Sequence, residues 1–325
     1  MKVLLLGSGG REHAIAVSLV ASDLVEKLYV APGNGGTAAI AENIELAIDQ
    51  PDAVLQAARD LEVELVVIGP DLPLALGVAN RLRGAGFAVF GPDAEAGRLE
   101  SSKQFAKEFM DRHGLPTAAW DSFTDQQAAL EYLATHPAPI VIKADGLAAG
   151  KGVVVAASDE EARAAVQDCF SGRFGTAGST VLIEACLDGP ECSCLIFTDG
   201  KRVLPMPLAQ DHKRVGEGDT GPNTGGMGVY SPVPIVSAAD EAEMYAIMAR
   251  TVDGLNAEQL DYRGVIYAGF MLTSEGPKLL EFNARFGDPE TQVLLPRLQS
   301  DLAELMLAVA AGDISGLKLS WSDQA

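Results

Sequence analysis

The first hundred residues alternate between short apolar runs and segments of helical period. Val3-Leu4-Leu5-Leu6, residues 27–30, Leu65-Val66-Val67-Ile68 and residues 88–90 are continuous apolar stretches or nearly so, each closed by glycine or proline. Such runs predict strands buried on both faces of a parallel sheet. The closing turns are Gly7-Ser8-Gly9-Gly10, Ala31-Pro32-Gly33, Gly69-Pro70-Asp71 and Gly91-Pro92, and the segments between read as helices. Strand and helix in alternation predict an open α/β sheet, whose ligands bind beyond the carboxyl ends of the strands. Farther on the pattern changes. One helix is expected over about 95–112, carrying Ser102, Lys103 and Lys107, and His113-Gly114-Leu115-Pro116 ends it at a domain boundary. Strands at 139–143 and 153–155 form a hairpin, and 180–184 and 191–198 form a second pair. Residues 210–234 read as a long polar loop, followed by a helix over about 239–256 and a strand over 265–272.

The stretch 279–291 carries the densest chemistry. It begins as a strand with Leu280, Phe282 and Ala284 on one face, so Glu281, Asn283 and Arg285 share the other. A carboxylate and an amide oxygen two residues apart suit Mg²⁺ that keeps phosphate and water as its other ligands. Arg285 is placed to fork an anion beside them. Asp288 then reads as an N-cap and Pro289 as the first helical residue. The plainer reading is a solvated strand face followed by a capped helix.

The glycine turns admit two readings each. Gly7-Ser8-Gly9-Gly10 before a helix near Arg11 is an anion-binding corner, but Glu12 stands where a dinucleotide fingerprint has its third glycine. Asp71 is placed either to meet an amine or to cap the next helix. The loop 144–152, Ala-Asp-Gly-Leu-Ala-Ala-Gly-Lys-Gly, is not a P-loop, because Lys151 precedes Gly152 and the chain continues into a strand. It reads as a hairpin flap able to close over phosphates, with Lys143 as a second cation in an apolar strand. The bland alternative is a flexible tip with an exposed lysine. A short connection at 185–190 offers backbone groups to a base and Glu191 to sugar hydroxyls. His212, set among charged residues, is a candidate base or a surface hydrogen-bonding group.

Composition narrows the partners. The 325 residues carry a net charge of -21, which argues against nucleic acid and anionic membranes. Local cations at Lys143, Lys151, Lys213, Arg214 and Arg285 still allow an anionic small ligand. The four cysteines (Cys169, Cys186, Cys192, Cys194) have no C-x-x-C spacing and read as reduced packing residues, with no zinc site. The N-terminal apolar run is too short for a signal peptide, and no run reaches membrane-spanning length.

Five motifs, in order along the chain, resemble those of the phosphoribosylamine–glycine ligases (glycinamide ribonucleotide synthetases) of the ATP-grasp superfamily. They are Gly-Ser-Gly-Gly-Arg-Glu-His-Ala at 7–14, Ile-Lys-Ala-Asp-Gly-Leu-Ala-Ala-Gly-Lys-Gly at 142–152, Gln-Asp-His-Lys-Arg at 210–214, Gly-Pro-Asn-Thr-Gly-Gly-Met-Gly at 221–228 and Glu-Phe-Asn-Ala-Arg-Phe-Gly-Asp-Pro-Glu-Thr at 281–291. The resemblance implies an α/β, ATP-grasp fold with an N-terminal open parallel α/β (pre-ATP-grasp) domain over 1–103. An ATP-grasp domain would follow over 104–325, with a mobile lid at about 118–192. It implies a cytoplasmic, monomeric enzyme of de novo purine synthesis. ATP, glycine and 5-phosphoribosylamine would give glycinamide ribonucleotide, ADP and phosphate through glycyl phosphate.

By position, Glu281 and Asn283 resemble the Mg²⁺ or Mn²⁺ ligands. Lys103, Lys143, Gly146, Gly150, Lys151 and Gly152 resemble the ATP phosphate contacts. Glu184, Ala185, Cys186 and Leu187 resemble the adenine hinge, and Glu191 the ribose contact. Substrate is expected at Gly9, Gly10, Asp71, Asn223, Thr224, Gly225, Gly226 and Asp288, and the catalytic roles at Asp211, Lys213 and Arg285. Two departures stand out. The sequence stops about where the family's further small domain begins, so a partner-dependent or non-catalytic ATP-binding fragment is an alternative, as is an ATP-grasp ligase with another acceptor. The strand before the metal strand, Val265 to Met271, lacks the acid many ATP-grasp enzymes place there.

Overall fold

The computed structural model describes residues 1–147, 152–218 and 220–324. The described elements begin with β1 (Lys2–Gly7), α1 (Gly10–Val20), β2 (Lys27–Pro32), β3 (Glu42–Asn43), α2 (Pro51–Asp60), β4 (Leu65–Ile68), α3 (Asp71–Ala75), α4 (Val78–Arg83) and β5 (Ala88–Phe90). Next come α5 (Arg98–Ser101), α6 (Lys103–Arg112), β6 (Trp120–Phe123), α7 (Gln126–Leu133), β7 (Ile140–Ala144), β8 (Val153–Ala156), α8 (Asp159–Asp168) and β9 (Val181–Ala185). Then follow β10 (Glu191–Thr198), β11 (Val203–Pro205), β12 (Gln210–Asp211), β13 (Arg214–Gly216), β14 (Thr220–Asn223), β15 (Val229–Tyr230) and α9 (Ala238–Ala257). The last are β16 (Gly264–Thr273), β17 (Gly276–Asn283), α10 (Glu290–Leu294) and α11 (Leu302–Ala311).

These elements form two compact units. The first takes in Met1–Gly97, Cys192–Ala268 and the chain from Asn283 onward; the second takes in Arg98–Glu191 and Gly269–Phe282.

In the first unit β3-β2-β1-β4-β5 make a parallel sheet, with Val3 in register with Leu28 and Leu65. Both faces of β1 are buried, which is why its sequence is apolar throughout rather than alternating. Val3 and Leu5 pack with Ile15, Leu19, Phe197, Phe286 and Met306. Leu4 and Leu6 pack with Val54, Leu55, Leu74 and Leu82. Phe90, Phe197 and Phe286 meet as an aromatic trio, Phe90 stacked on Phe286 at 5.9 Å between ring centroids.

In the second unit β6-β9-β7-β8 form an antiparallel sheet. Helices α7 and α8 cover it through Ala129, Leu133, Ala162 and Val166, which pack on Ile140, Ile142, Val181 and Ile183. The turn at 274–275 joins the outer half of β16 to β17, and Leu279 of β17 bridges to Thr117.

Several local expectations are corrected. The helix expected over 95–112 is two helices broken at Ser102, whose hydroxyl accepts a hydrogen bond from the Phe105 amide at 3.1 Å and so caps α6. The strands β9 and β10 lie in different sheets rather than pairing with each other. The stretch 210–234 is not an irregular loop: β12 pairs with β15 and β13 with β14 as short ribbons. Along 279–284, Leu279 is fully buried while Leu280, expected on the face of Phe282 and Ala284, is only half-buried; Phe282 and Ala284 are buried. Asp288 is not an N-cap, because α10 begins at Glu290 after Pro289. Asp71 does not cap α3 either; it is its first residue, after Pro70.

Among the described residues no helix is long and apolar enough to cross a membrane, and all four cysteines are free thiols. Burial pushes the Cys192 thiol up to about 12, so it is a packing group rather than a nucleophile.

Candidate active site

In the second unit, three lysines gather around one carboxylate and one glycine turn. Ser102 and Asp145 set the entry to α6. The Asp145 carboxylate accepts from the Gln104 amide at 3.1 Å and from the Ser102 hydroxyl at 3.2 Å. Lys103, one residue past the cap, then donates to the Gly146 carbonyl at 2.9 Å. Gly146 has φ +99°, and a Cβ there would lie 3.1 Å from the Ala177 Cβ, so the turn requires glycine. Burial lowers the Lys103 pKa, the nearby Glu281 carboxylate opposes that, and the Lys143 charge adds to it.

Lys143 and Lys107 share Glu184. The Lys143 ammonium lies 2.9 Å from Glu184 Oε1 and donates to the Leu280 carbonyl at 3.2 Å. The Lys107 ammonium lies 2.8 Å from Oε2 and donates to the Thr117 hydroxyl at 2.7 Å, which itself donates to the Leu279 carbonyl. Burial drives the Lys107 pKa down to about 8 against the pull of Glu184. Lys107 was expected only as a lysine one turn beyond Lys103. The period places the two on one face but says nothing of a carboxylate arriving from β9.

Beyond Glu184, Ala185 is exposed and Cys186 and Leu187 are half-buried, so the strand end presents backbone. Glu191 opens β10 half-buried. Gly152 is buried, and Gly150 and Lys151 lie outside the described residues.

In the first unit the glycine corner is shaped by side chains that sequence reasoning left without a role. Glu12 accepts from the Gly9 amide at 2.7 Å and from Arg11 Nε at 2.6 Å, and Arg11 Nη1 reaches the Phe286 carbonyl at 3.1 Å. A Cβ on Gly7 or Gly69 would lie 2.5 Å or 2.2 Å from the Glu12 side chain. The residue that breaks the dinucleotide fingerprint therefore fills the corner and caps its turn. The broken fingerprint was itself the available signal.

Gly9 and Gly10 face Asp288 and Gln292. A Cβ on Gly9 would stand 3.4 Å from Asp288 Oδ2, and one on Gly10 would stand 2.8 Å from Gln292 Nε2, which donates to Asp288 Oδ1. Gly226, at φ +131°, is held against Pro289 and Asp211: its Cβ would meet Pro289 Cδ at 2.7 Å and Asp211 Oδ1 at 2.9 Å. Asp211 is buried on β12. The Lys213 carbonyl accepts from the Thr224 amide at 2.6 Å and hydroxyl at 2.8 Å, fixing the turn before Gly225. Asn223 is paired with Arg214 on the β13–β14 ribbon, and its side chain is outside what is described.

Arg285 Nη1 donates to the same Phe286 carbonyl as Arg11, at 3.0 Å, and Nη2 donates to Asn283 Oδ1 at 3.2 Å. Behind this turn, Glu290 is buried and accepts from Ser193, which in turn meets the Tyr267 hydroxyl. Burial raises the Tyr267 pKa, and the field of Lys213 opposes that rise.

Asp71 sits beyond β4, its carboxylate accepting from the Leu72 amide at 2.9 Å. His212 is exposed and stacks on Tyr230 at 5.9 Å between ring centroids.

Glu281 and Asn283 lie on β17 with buried Phe282 between them, both half-buried. Among the described residues no cluster of three His, Cys, Asp or Glu is built to hold a metal by itself. Two oxygen donors on one strand face fit a hard cation that draws its other ligands from phosphate and water.

Comparison with known proteins adds to this geometry. The family described as phosphoribosylglycinamide synthetase, N domain, matches residues 1–100, and its ATP-grasp (A) domain matches residues 101–291. A phosphoribosylamine–glycine ligase of Rhizobium meliloti (strain 1021) is 52% identical over 326 residues, spanning 100% of this chain and 77% of that protein. The trifunctional purine biosynthetic protein adenosine-3 of Homo sapiens is 54% identical over 316 residues, 96% of this chain and 31% of that protein. Among solved structures, phosphoribosylamine–glycine ligase from Thermotoga maritima superposes with a TM-score of 0.83 at 33% identity, over 96% of this chain and 76% of that one. A biotin carboxylase from Campylobacter jejuni shares the fold, with a TM-score of 0.76 at 16% identity, over 98% of this chain and 73% of that one.

Proposed function

The chain belongs to the phosphoribosylglycinamide synthetase family, and from that premise we propose that it joins glycine to 5-phosphoribosylamine. ATP is spent in the reaction, and glycinamide ribonucleotide, ADP and phosphate are released. The observation that carries this reading is the pair of cations Lys103, at the Gly146 turn, and Lys143, beside Glu184, as a seat for a polyphosphate.

Lys103, Lys143 and the loop through Gly146, Gly150, Lys151 and Gly152 hold the ATP phosphates. Backbone at 184–187 meets adenine, and Glu191 meets the ribose. Glu281 and Asn283 would hold Mg²⁺ or Mn²⁺, which would supply positive charge against the phosphates. Arg285 steadies an oxyanion beside Asn283. Gly9, Gly10, Asp288 and the turn at 223–226 leave room for the phosphoribosyl group, and Asp71 meets an amine. Asp211 and Lys213 orient the reacting groups. The glycine carboxylate takes the γ-phosphoryl group to give glycyl phosphate and ADP. The amine of phosphoribosylamine then attacks the acyl carbon, phosphate leaves with the carboxylate oxygen, and the amine gives up a proton. The chain's work is orientation and charge compensation.

The stretch at about 118–192 serves as the lid, on a frame of domains at 1–103 and 104–325. The enzyme acts in the cytoplasm, a reading its free thiols support, and it acts as a monomer. The route through glycyl phosphate is tested with glycine labelled with ¹⁸O in its carboxylate. One label is expected in the released phosphate, and unlabelled phosphate would exclude the acyl phosphate.

A further inference from the structure

Lys107 has no place in the phosphate contacts assigned above, yet it is among the most buried charges of its unit, and among the described residues its charged partner at contact distance is Glu184. The side chains of Lys107, Glu184 and Lys143 are 3%, 3% and 8% exposed. Two ammonium groups therefore divide one carboxylate away from water. They do so unequally. Lys107 is fixed between Oε2 and the Thr117 hydroxyl. Among the described residues no hydrogen bond reaches Oε1, so Lys143 meets it only as a charge and spends its hydrogen bond on the Leu280 carbonyl.

We propose that Lys107 is a positioning residue for nucleotide: it neutralises Glu184 from behind, so that Lys143 keeps its positive charge for the polyphosphate. The inference rests on the assignment of Lys143 to the ATP phosphates. Two lysines and one glutamate leave the cluster at one net positive charge. Without Lys107 the same cluster is neutral, and Glu184 holds Lys143 as a closed pair. Burial keeps that difference from being screened by salt. Among the described residues, the other charges that bear on the cluster are Lys103, which Lys143 opposes, Asp145, Glu281 and Glu100 near Lys103, and Asp111 near Lys107.

The test measures the Kd of Mg-ATP by calorimetry on the full chain. Lys107→Met is expected to weaken binding roughly tenfold to a hundredfold, the scale of one unit charge at this range. Lys107→Arg is expected to hold Kd near that of the unaltered protein. The charge-balanced double variant Lys107→Met with Glu184→Gln alters no backbone of the 184–187 stretch assigned to adenine, and it is expected to recover Kd to within about threefold. The double variant also serves if the single one does not fold, because it buries no unpaired carboxylate. Unchanged Kd in Lys107→Met with a lowered Tm would overturn the proposal in favour of a structural ion pair. A double variant that binds ATP as weakly as Lys107→Met, or weakly by itself where the single variant does not fold, would overturn it as well. Lys143→Met is the separate control: ATP binding that survives it would remove the underlying assignment instead.

Discussion

Gly226 stands where a side chain would collide with Pro289 and Asp211, and its φ of +131° is one that L-residues avoid. Gly226→Ala should therefore push the 223–226 turn away from Asp288. The expected outcome is a fall of at least about tenfold in kcat/KM for phosphoribosylamine with the ATP Kd unchanged; equal losses on both substrates would contradict this placement. Glu281→Ala should cost more than the roughly 10–100-fold typical of residues that merely support a metal ligand, with circular dichroism unchanged. Near-normal Mg²⁺-dependent turnover in that variant would remove the metal assignment. Lys107 makes a pH prediction. Its folded pKa, about 8, lies below the ordinary lysine value of 10.5. Its contribution to stability is thus present above the ordinary value and lost as pH falls through about 8. Urea unfolding between pH 8 and 10.5 should show stability rising faster with pH in the unaltered protein than in Lys107→Met; parallel curves would contradict it. None of this was legible in the sequence around Lys107, where helical period marks a face but cannot say that Glu184 will meet it.

At the scale of elements, the parallel strands were legible because β1 and β4 are apolar on both faces and end at glycine or proline. The break at Ser102 was not, because 95–112 has few strong breakers and α5 is only one turn long. A serine inside a helical pattern reads equally as interior or cap until its hydroxyl is seen on the Phe105 amide. Ser102→Ala should cost about 1 kcal/mol of stability, read by urea unfolding, and should also weaken ATP binding through the displaced Lys103. A loss of neither would show the cap to be idle. The ribbons β12–β15 and β13–β14 were hidden for a different reason. Strands of two to four residues rich in glycine and charge carry no apolar alternation. The candidate site divides the same way. Glycines and motif carboxylates could be named from the sequence, whereas Arg11, Glu12 and Glu290, which hold them in place, owe their roles to long-range packing.

At the scale of the molecule, the two units are each assembled from separate stretches of chain. The segment 192–268, which carries Asp211 and Lys213, returns to the unit that contains Gly9 and Gly10. The glycine corner, Asp288 and the Gly226 turn are thus built on one core, and the lysine cluster on another. The chain spans 77% of the length of its Rhizobium meliloti relative. The decisive measurement for the ligase activity is ADP release with Mg-ATP, glycine and freshly generated phosphoribosylamine, omitting each in turn. Release is expected to require all three, with glycinamide ribonucleotide formed in equal amount. ADP release indifferent to glycine or to phosphoribosylamine, or no release from a chain that binds ATP, would contradict it.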